Sequence, residues 1–263
     1  MKLYRIKILL KRHLMSTTRE FHRFIDIIYW PFLEIILWGL TGVWLQGNTE
    51  HLSMYTTMLL AALIFWQIFT RAEHEIISSL VDELWSYNLI NLFSSPLEIT
   101  EWIISAMSLG IIKSIFTMVF GIIITWSIYG CNLTLLGTVL FPLFILFIIS
   151  GWALGFFMSA LIIYWSHKIQ SFIWALDWTL AAFSTVYYSI EVLPSWAQYI
   201  AYALPMTHTF YALRTFIQTG ILPVNAIYTS LLLSFFYLIL SMYVFINMFS
   251  KSKGIGLLRL EQE

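Results

Sequence analysis

A chain of 263 residues that is 60% hydrophobic and only 11% charged, with mean hydropathy +0.81, lies outside the soluble range, in which about a quarter of residues are charged. It is expected to be an integral membrane protein with no nucleic-acid partner. The formal net charge of zero hides an asymmetry, because seven of the 14 Lys and Arg precede residue 24, and Cys131, the single cysteine, excludes an intramolecular disulfide and a cysteine-based metal site.

Residues 1–24 carry Lys2, Arg5, Lys7, Lys11, Arg12, Arg19 and Arg23, with Leu3, Ile6, Leu10 and Leu14 along one stripe. The pattern predicts an interfacial helix on the anionic cytoplasmic leaflet; a basic tail obeying the positive-inside rule is the simpler alternative. No uninterrupted apolar core with a small-residue cleavage site follows, so a removed signal peptide is not expected. Residues 25–44 form a first span long enough for the roughly 30 Å hydrocarbon core, with Trp30 and Trp44 near its ends, Pro31 in its first turns and Glu34 near its middle. Residues 46–53 lack Lys and Arg and suit an outside loop; 54–70 is the second span, and Arg71 marks the return to the cytoplasm.

Residues 73–101 are the only long polar interruption in the first two thirds of the chain. Ile76, Ile77, Leu80, Val81 and Leu84 fall at helical spacing opposite Glu75, Ser78, Ser79, Asp82, Glu83 and Ser86, which predicts an amphipathic cytoplasmic helix. An aromatic and aliphatic piece follows, and Ser94-Ser95-Pro96 breaks the helix, because proline lacks an amide hydrogen and disfavours a helical predecessor.

The third span is 102–126, with Ala106, Gly110 and Ser114 on one face at a spacing that lets helices approach closely. Residues 129–134 make an outside turn. The long fourth span, 135–165, carries Gly151, Gly155 and Ser159, and its length predicts tilt or a kink near Pro142. After a minimal inside loop at 166–168 comes the fifth span, 169–190. Pro194, Pro205 and Pro223 divide 193–222 into pieces too short to cross, so this region is expected to be a re-entrant helical hairpin on the outer side, its non-helical backbone shielded by protein. The last span is 226–249. With both termini inside, cytoplasmic segments hold twelve of the fourteen Lys and Arg, which favours six spans. The expected fold is all-α: an N-terminal interfacial helix, six transmembrane helices, a cytoplasmic coupling helix and the outer hairpin, in one transmembrane domain.

The order of parts resembles the ABC-2 type exporter permeases, the membrane subunits of bacterial ATP-driven exporters. The phrase Phe24-Ile25-Asp26-Ile27-Ile28-Tyr29-Trp30-Pro31, running on to Leu37-Trp38-Gly39, is similar to that family's first span. Residues 84–96 resemble its inside loop, in which a coupling helix precedes a Ser-Pro turn. Leu193-Pro194-Ser195-Trp196, then Ala203-Leu204-Pro205-Met206-Thr207 and Leu213-Arg214, resemble its outer re-entrant pair. The resemblance covers nearly the whole chain and implies residence in the bacterial cytoplasmic (inner) membrane, a second permease copy, and two separate ABC ATPase subunits that bind ATP and Mg. The chain would then be a transport subunit rather than an enzyme and would bind no cofactor. It contains no Gly-rich loop ending in Gly-Lys-Ser/Thr to hold nucleotide phosphates.

The resemblance implies that Asp82, Glu83, Leu84, Trp85, Tyr87, Leu89, Phe93 and Pro96 form the ATPase-coupling element, with aromatic anchors in an ATPase groove and the two acids at its rim. Glu34, Lys113 and Asp177 are ionisable groups inside expected spans, where a central Lys or Asp costs at least about 2.5–3.5 kcal/mol. They line a translocation path, or Lys113 pairs with Glu34 or Asp177 as structural glue. Pro194, Trp196, Pro205 and Arg214 mark the outer hairpin, where Arg214, His208 and Glu191 are placed to contact a departing amphiphilic, drug-like or lipid-linked substrate or else lipid headgroups. Two other classes compete. A membrane-embedded lipid-modifying enzyme needs a convergent catalytic cluster, which the scattered histidines do not supply. An ion-coupled transporter commonly shows a duplicated half with paired broken helices, which is not evident here.

Overall fold

The computed structural model describes residues 2–46, 54–86, 88–165 and 169–255. All described regular structure is helical. The elements are α1 (Leu3–Arg19), α2 (Phe21–Gln46), α3 (Met54–Trp85), α4 (Leu89–Ser94), α5 (Ile99–Tyr129), α6 (Leu140–Trp165), α7 (Gln170–Phe183), α8 (Ser195–Ala203), α9 (Pro205–Thr219) and α10 (Val224–Ile255), with a 3-10 stretch at Leu133–Val139 before α6 and a 3-10 turn at Ile190–Val192.

The bundle is built around α3, which packs between α5 and α6 and also touches α2 and α9. Small residues make this possible. On α5, Gly110 faces the Ala72 backbone, and the Ser114 hydroxyl donates to the Ile68 carbonyl at 3.2 Å. On α6, a Cβ at Gly151 would lie 2.4 Å from the Phe69 carbonyl oxygen, and one at Gly155 would lie 2.8 Å from that of Glu73. Both small-residue stripes legible in the sequence therefore seat the same helix. α10 closes the other side of α6 and holds α9, through a Ser150–Ser234 hydroxyl pair at 2.9 Å and a Thr209–Ser230 pair at 2.6 Å. Interhelical hydroxyl bonds of this kind contribute on the order of 0.6 to 2 kcal/mol each.

Among the described residues, four segments are long and apolar enough to cross a membrane: Arg23–Leu45, Ile99–Tyr129, Leu133–Trp165 and Val224–Ser252. The chain is thus a helical membrane protein by length and composition. The segments expected as second and fifth spans differ from these four. α3 is long enough, but it carries Gln67, Arg71, Glu73 and Glu75, all buried. A helix enclosed by its neighbours has no need of an apolar outer surface. α7 has 14 residues, a rise of about 21 Å; its helix ends at Phe183, well before residue 190.

Several expected boundaries move. The amphipathic segment after Arg71 is no separate helix: it is the continuous end of α3, and its polar side is enclosed, with Glu75, Ser79 and Glu83 as buried as Ile76, Leu80 and Leu84. The interruption in the fourth span falls at Gly137, whose φ of +54° only glycine adopts readily, and not at Pro142. That proline lies in the first turn of α6, where its missing amide hydrogen removes no helical bond. Pro31, by contrast, lies deep inside α2, because that helix begins at Phe21.

α1 packs against α5, touches α2 and reaches the end of α3 through Arg12. Its buried face is Ile6, Leu9, His13 and Thr17, rotated from the stripe of Leu3, Ile6, Leu10 and Leu14, and Leu3 is exposed. Ion pairs fix it there. The Lys2 backbone amide donates to Glu101 at 2.6 Å, and Arg5 bonds Glu101 at 3.3 Å and the Pro96 carbonyl. Arg12 pairs with Glu83, and Arg23, just beyond, pairs with Asp82 and Glu20. Glu101 also closes a capping box with Glu98 at the start of α5, satisfying amides that would otherwise lack partners.

Candidate functional site

The ionisable groups expected inside the membrane separate into two sets. Lys113 pairs with neither Glu34 nor Asp177. Its ammonium lies 2.8 and 2.7 Å from the two carboxylate oxygens of Glu75 on α3, with Glu75 buried and Lys113 mostly so. Arg71 continues the network, 4.0 Å from Glu75 and 3.7 Å from Asp26. Four charges thereby join α2, α3 and α5, which makes Lys113 a structural ion pair. The sequence concealed this because Glu75 sits in a segment whose charges suggest an exposed face.

Glu34 and Asp177 instead share a cavity of about 270 Å³ between α2, α3 and α7, lined also by Asp26, Trp30, Trp66, Gln67, Thr70, Arg71, His74 and Trp178. α2 brings Asp26, Trp30 and Glu34 to one side at spacings of four residues, a single helical face. α3 supplies Trp66, Gln67, Thr70, Arg71 and His74 by the same periodicity, and α7 supplies Asp177 and Trp178. The Glu34 carboxylate accepts a 2.6 Å bond from the Gln67 amide. Asp177 bonds His74 through Oδ2 at 3.0 Å, while its Oδ1 is buried without a hydrogen-bond partner. The Glu73 carboxyl lies beside Asp177. Asp26, His74, Trp66 and Trp178 are not expected as site residues from the sequence, and Trp30 is expected only near the end of the first span, although the four-residue spacing of Asp26, Trp30 and Glu34 is visible there.

A larger cavity of about 1300 Å³ opens at the other end of the bundle, bounded by the chain from Thr185 to Val192, by α9 and by the ends of α2 and α3. Glu191, His208 and Arg214 all line it, together with five tyrosines. Arg214 donates to the carbonyl of Val186 at 3.0 Å and to that of Thr185. Thr185 has a φ of +64°, the one positive φ at a described non-glycine residue. The guanidinium thus pins the strained turn that ends α7. The pair of short helices expected in this region is present: Pro194 caps α8, Pro205 opens α9, and Gly220 ends it at a φ of +73°. Trp196 is exposed and meets Phe183 edge-on at 6.0 Å.

The expected coupling residues are distributed unevenly. Asp82 and Glu83 are occupied by Arg23 and Arg12 of the same chain, and Glu83 also accepts from Asn88 at 2.6 Å. Leu84 and Leu89 are buried in the cluster formed by α3, α5, α6 and α10. Trp85 is half exposed, and Ser94, Ser95 and Pro96 are exposed. Phe93 belongs to α4, and Tyr87 lies outside the described residues.

No family model matches the chain, and no curated protein matches it. The class defined by the fold is a helical membrane protein with four apolar membrane-length segments among the described residues and charged side chains facing cavities in its bundle.

Proposed function

We propose that the chain is the permease subunit of an ATP-driven ABC-2 type exporter of the bacterial cytoplasmic membrane, acting with a second permease copy and two separate ATPase subunits. The observation that carries a transport role is the cavity holding Glu34 and Asp177. Carboxylates are expensive inside an apolar bundle and are retained there chiefly where they face a path or a partner; these two face a cavity. The ATP-driven mechanism is supported by the resemblance of residues 24–39, 84–96 and 193–214 to that family. On this proposal α3 and α7 are the second and fifth spans, α8 and α9 are the outer re-entrant pair, and the inner and outer cavities are successive stations of one route.

The coupling surface is correspondingly narrower than the sequence suggested: Trp85 with the exposed Ser94-Ser95-Pro96 corner, while Glu83 transmits force to α1 through Arg12 and Asp82 to α2 through Arg23. Affinity purification of the tagged chain in mild detergent, with identification of partners and an ATPase assay, tests the proposal. A nucleotide-binding subunit is expected to copurify, and Trp85→Ala is expected to lower ATPase stimulation without lowering membrane insertion. A folded chain that never brings an ATPase overturns it.

A further inference from the structure

We infer that the cavity between α2, α3 and α7 binds an organic cation, an amine or quaternary ammonium carrying an apolar group, and that this is the substrate class. The word substrate rests on the proposed permease function; the binding rests on the cavity alone. Three acids, Asp26, Glu34 and Asp177, line it against one arginine, and Arg71 already serves Asp26 and Glu75. Asp177 is 8% exposed, and its Oδ1 has no hydrogen bond. Asp26, Glu34 and Asp177 outnumber the one arginine beside them, and buried carboxylates favour uptake of positive charge. Anions are disfavoured for the same reason.

Trp30, Trp66 and Trp178 give the cavity its chemical selectivity. Indole faces attract cations through their quadrupole; Trp66 is buried, and Trp30 and Trp178 are exposed. An inorganic cation lacks a ligand set, since no group of three His, Cys, Asp or Glu placed to hold a metal ion occurs among the described residues. A soft cation with an apolar body satisfies carboxylates and ring faces together, and 270 Å³, just under the range of about 300–1,000 Å³ usual for ligand pockets, suits a small one.

The probe is radiolabelled benzyltrimethylammonium, bound to the purified full chain in detergent and measured by equilibrium dialysis. Its neutral isostere neopentylbenzene is the competitor. Saturable binding of the cation is expected, with no displacement by the isostere. Asp177→Asn, which keeps a polar partner for His74, and Glu34→Gln, which keeps one for Gln67, are each expected to weaken binding about tenfold, the loss of one charge-assisted contact. Leu232→Ala, at an exposed position of α10 that lines neither cavity, is expected to leave binding unchanged. Trp178→Leu, at an exposed position, provides a second variant should either acid variant fail to fold, with a loss of severalfold expected. No binding by the folded chain, equal competition by the isostere, or full affinity in the folded variants overturns the inference. Because no ATPase is present, a chain that binds the cation yet brings no ATPase on purification keeps the cavity and loses the permease, and the reverse result separates them equally well.

Discussion

Lys113 illustrates how a single residue takes its meaning from a partner. Removing one member of a buried ion pair leaves an uncompensated charge, which destabilises by about 3–5 kcal/mol, whereas replacing both with apolar residues is often neutral. Lys113→Met is therefore expected to lower the melting temperature in detergent strongly, softened somewhat by Arg71 near Glu75. The double variant Lys113→Met with Glu75→Met is expected to recover most of the loss, and a double variant as unstable as the single one would refute the pairing. Reversal of Lys113 with Glu34, the swap suggested by depth in the membrane alone, is expected to restore nothing. Glu34 was recognisable in the sequence as anomalous, but its bond to Gln67 joins residues 33 positions apart, and no local pattern encodes that distance.

Among the elements, α3 and α1 carry the most structural consequence. The close seat of α3 on α6 predicts that Gly151→Ala, whose methyl would meet the Phe69 carbonyl at 2.4 Å, destabilises by about 1–3 kcal/mol through overpacking. Gly130→Ala meets nothing within 4 Å but keeps a φ of +66°, so its loss is about 1–2 kcal/mol, from backbone alone. Thermal melts of the two variants separate contact from conformation. On α1, burial pushes the His13 imidazole down to about 4, with Arg12, Lys113 and Arg23 adding repulsion. The unfolded chain takes up this proton near 6.5, so it binds more protons than the folded one between those values, and stability falls as pH drops through that window. His13→Gln is expected to show a smaller loss of melting temperature between pH 6.5 and pH 4 than the parent. Equal slopes would show that His13 does not control the docking of α1. The basic content of α1 was evident from sequence; that its arginines grip Glu83 and Glu101 was not, because those acids lie about 70 to 100 residues away in the chain.

For the whole molecule, the number of crossings decides which cavity faces which compartment. If α3 and α7 cross along with α2, α5, α6 and α10, Asn91 and Trp196 lie on opposite sides of the membrane. If only the four most apolar segments cross, both lie on the same side. In a Cys131→Ser background, Asn91→Cys and Trp196→Cys are expected to react with an impermeant maleimide from opposite sides, and labelling of both from one side would refute six spans.

The sequence by itself determined that the chain is a helical membrane protein, because apolar runs of about 20 residues are local, additive properties. It also determined the small-residue faces of α5 and α6 and the proline-framed pair α8 and α9, since helical period and proline chemistry act over a few residues. Tertiary structure alone decided that the polar end of α3 is enclosed, that Lys113 belongs to Glu75, and that Glu34 and Asp177 share one cavity with three indoles. Each of these depends on which helices become neighbours. That choice is made by packing distant faces against one another, and residues far apart in the chain carry no mark of it until the faces meet.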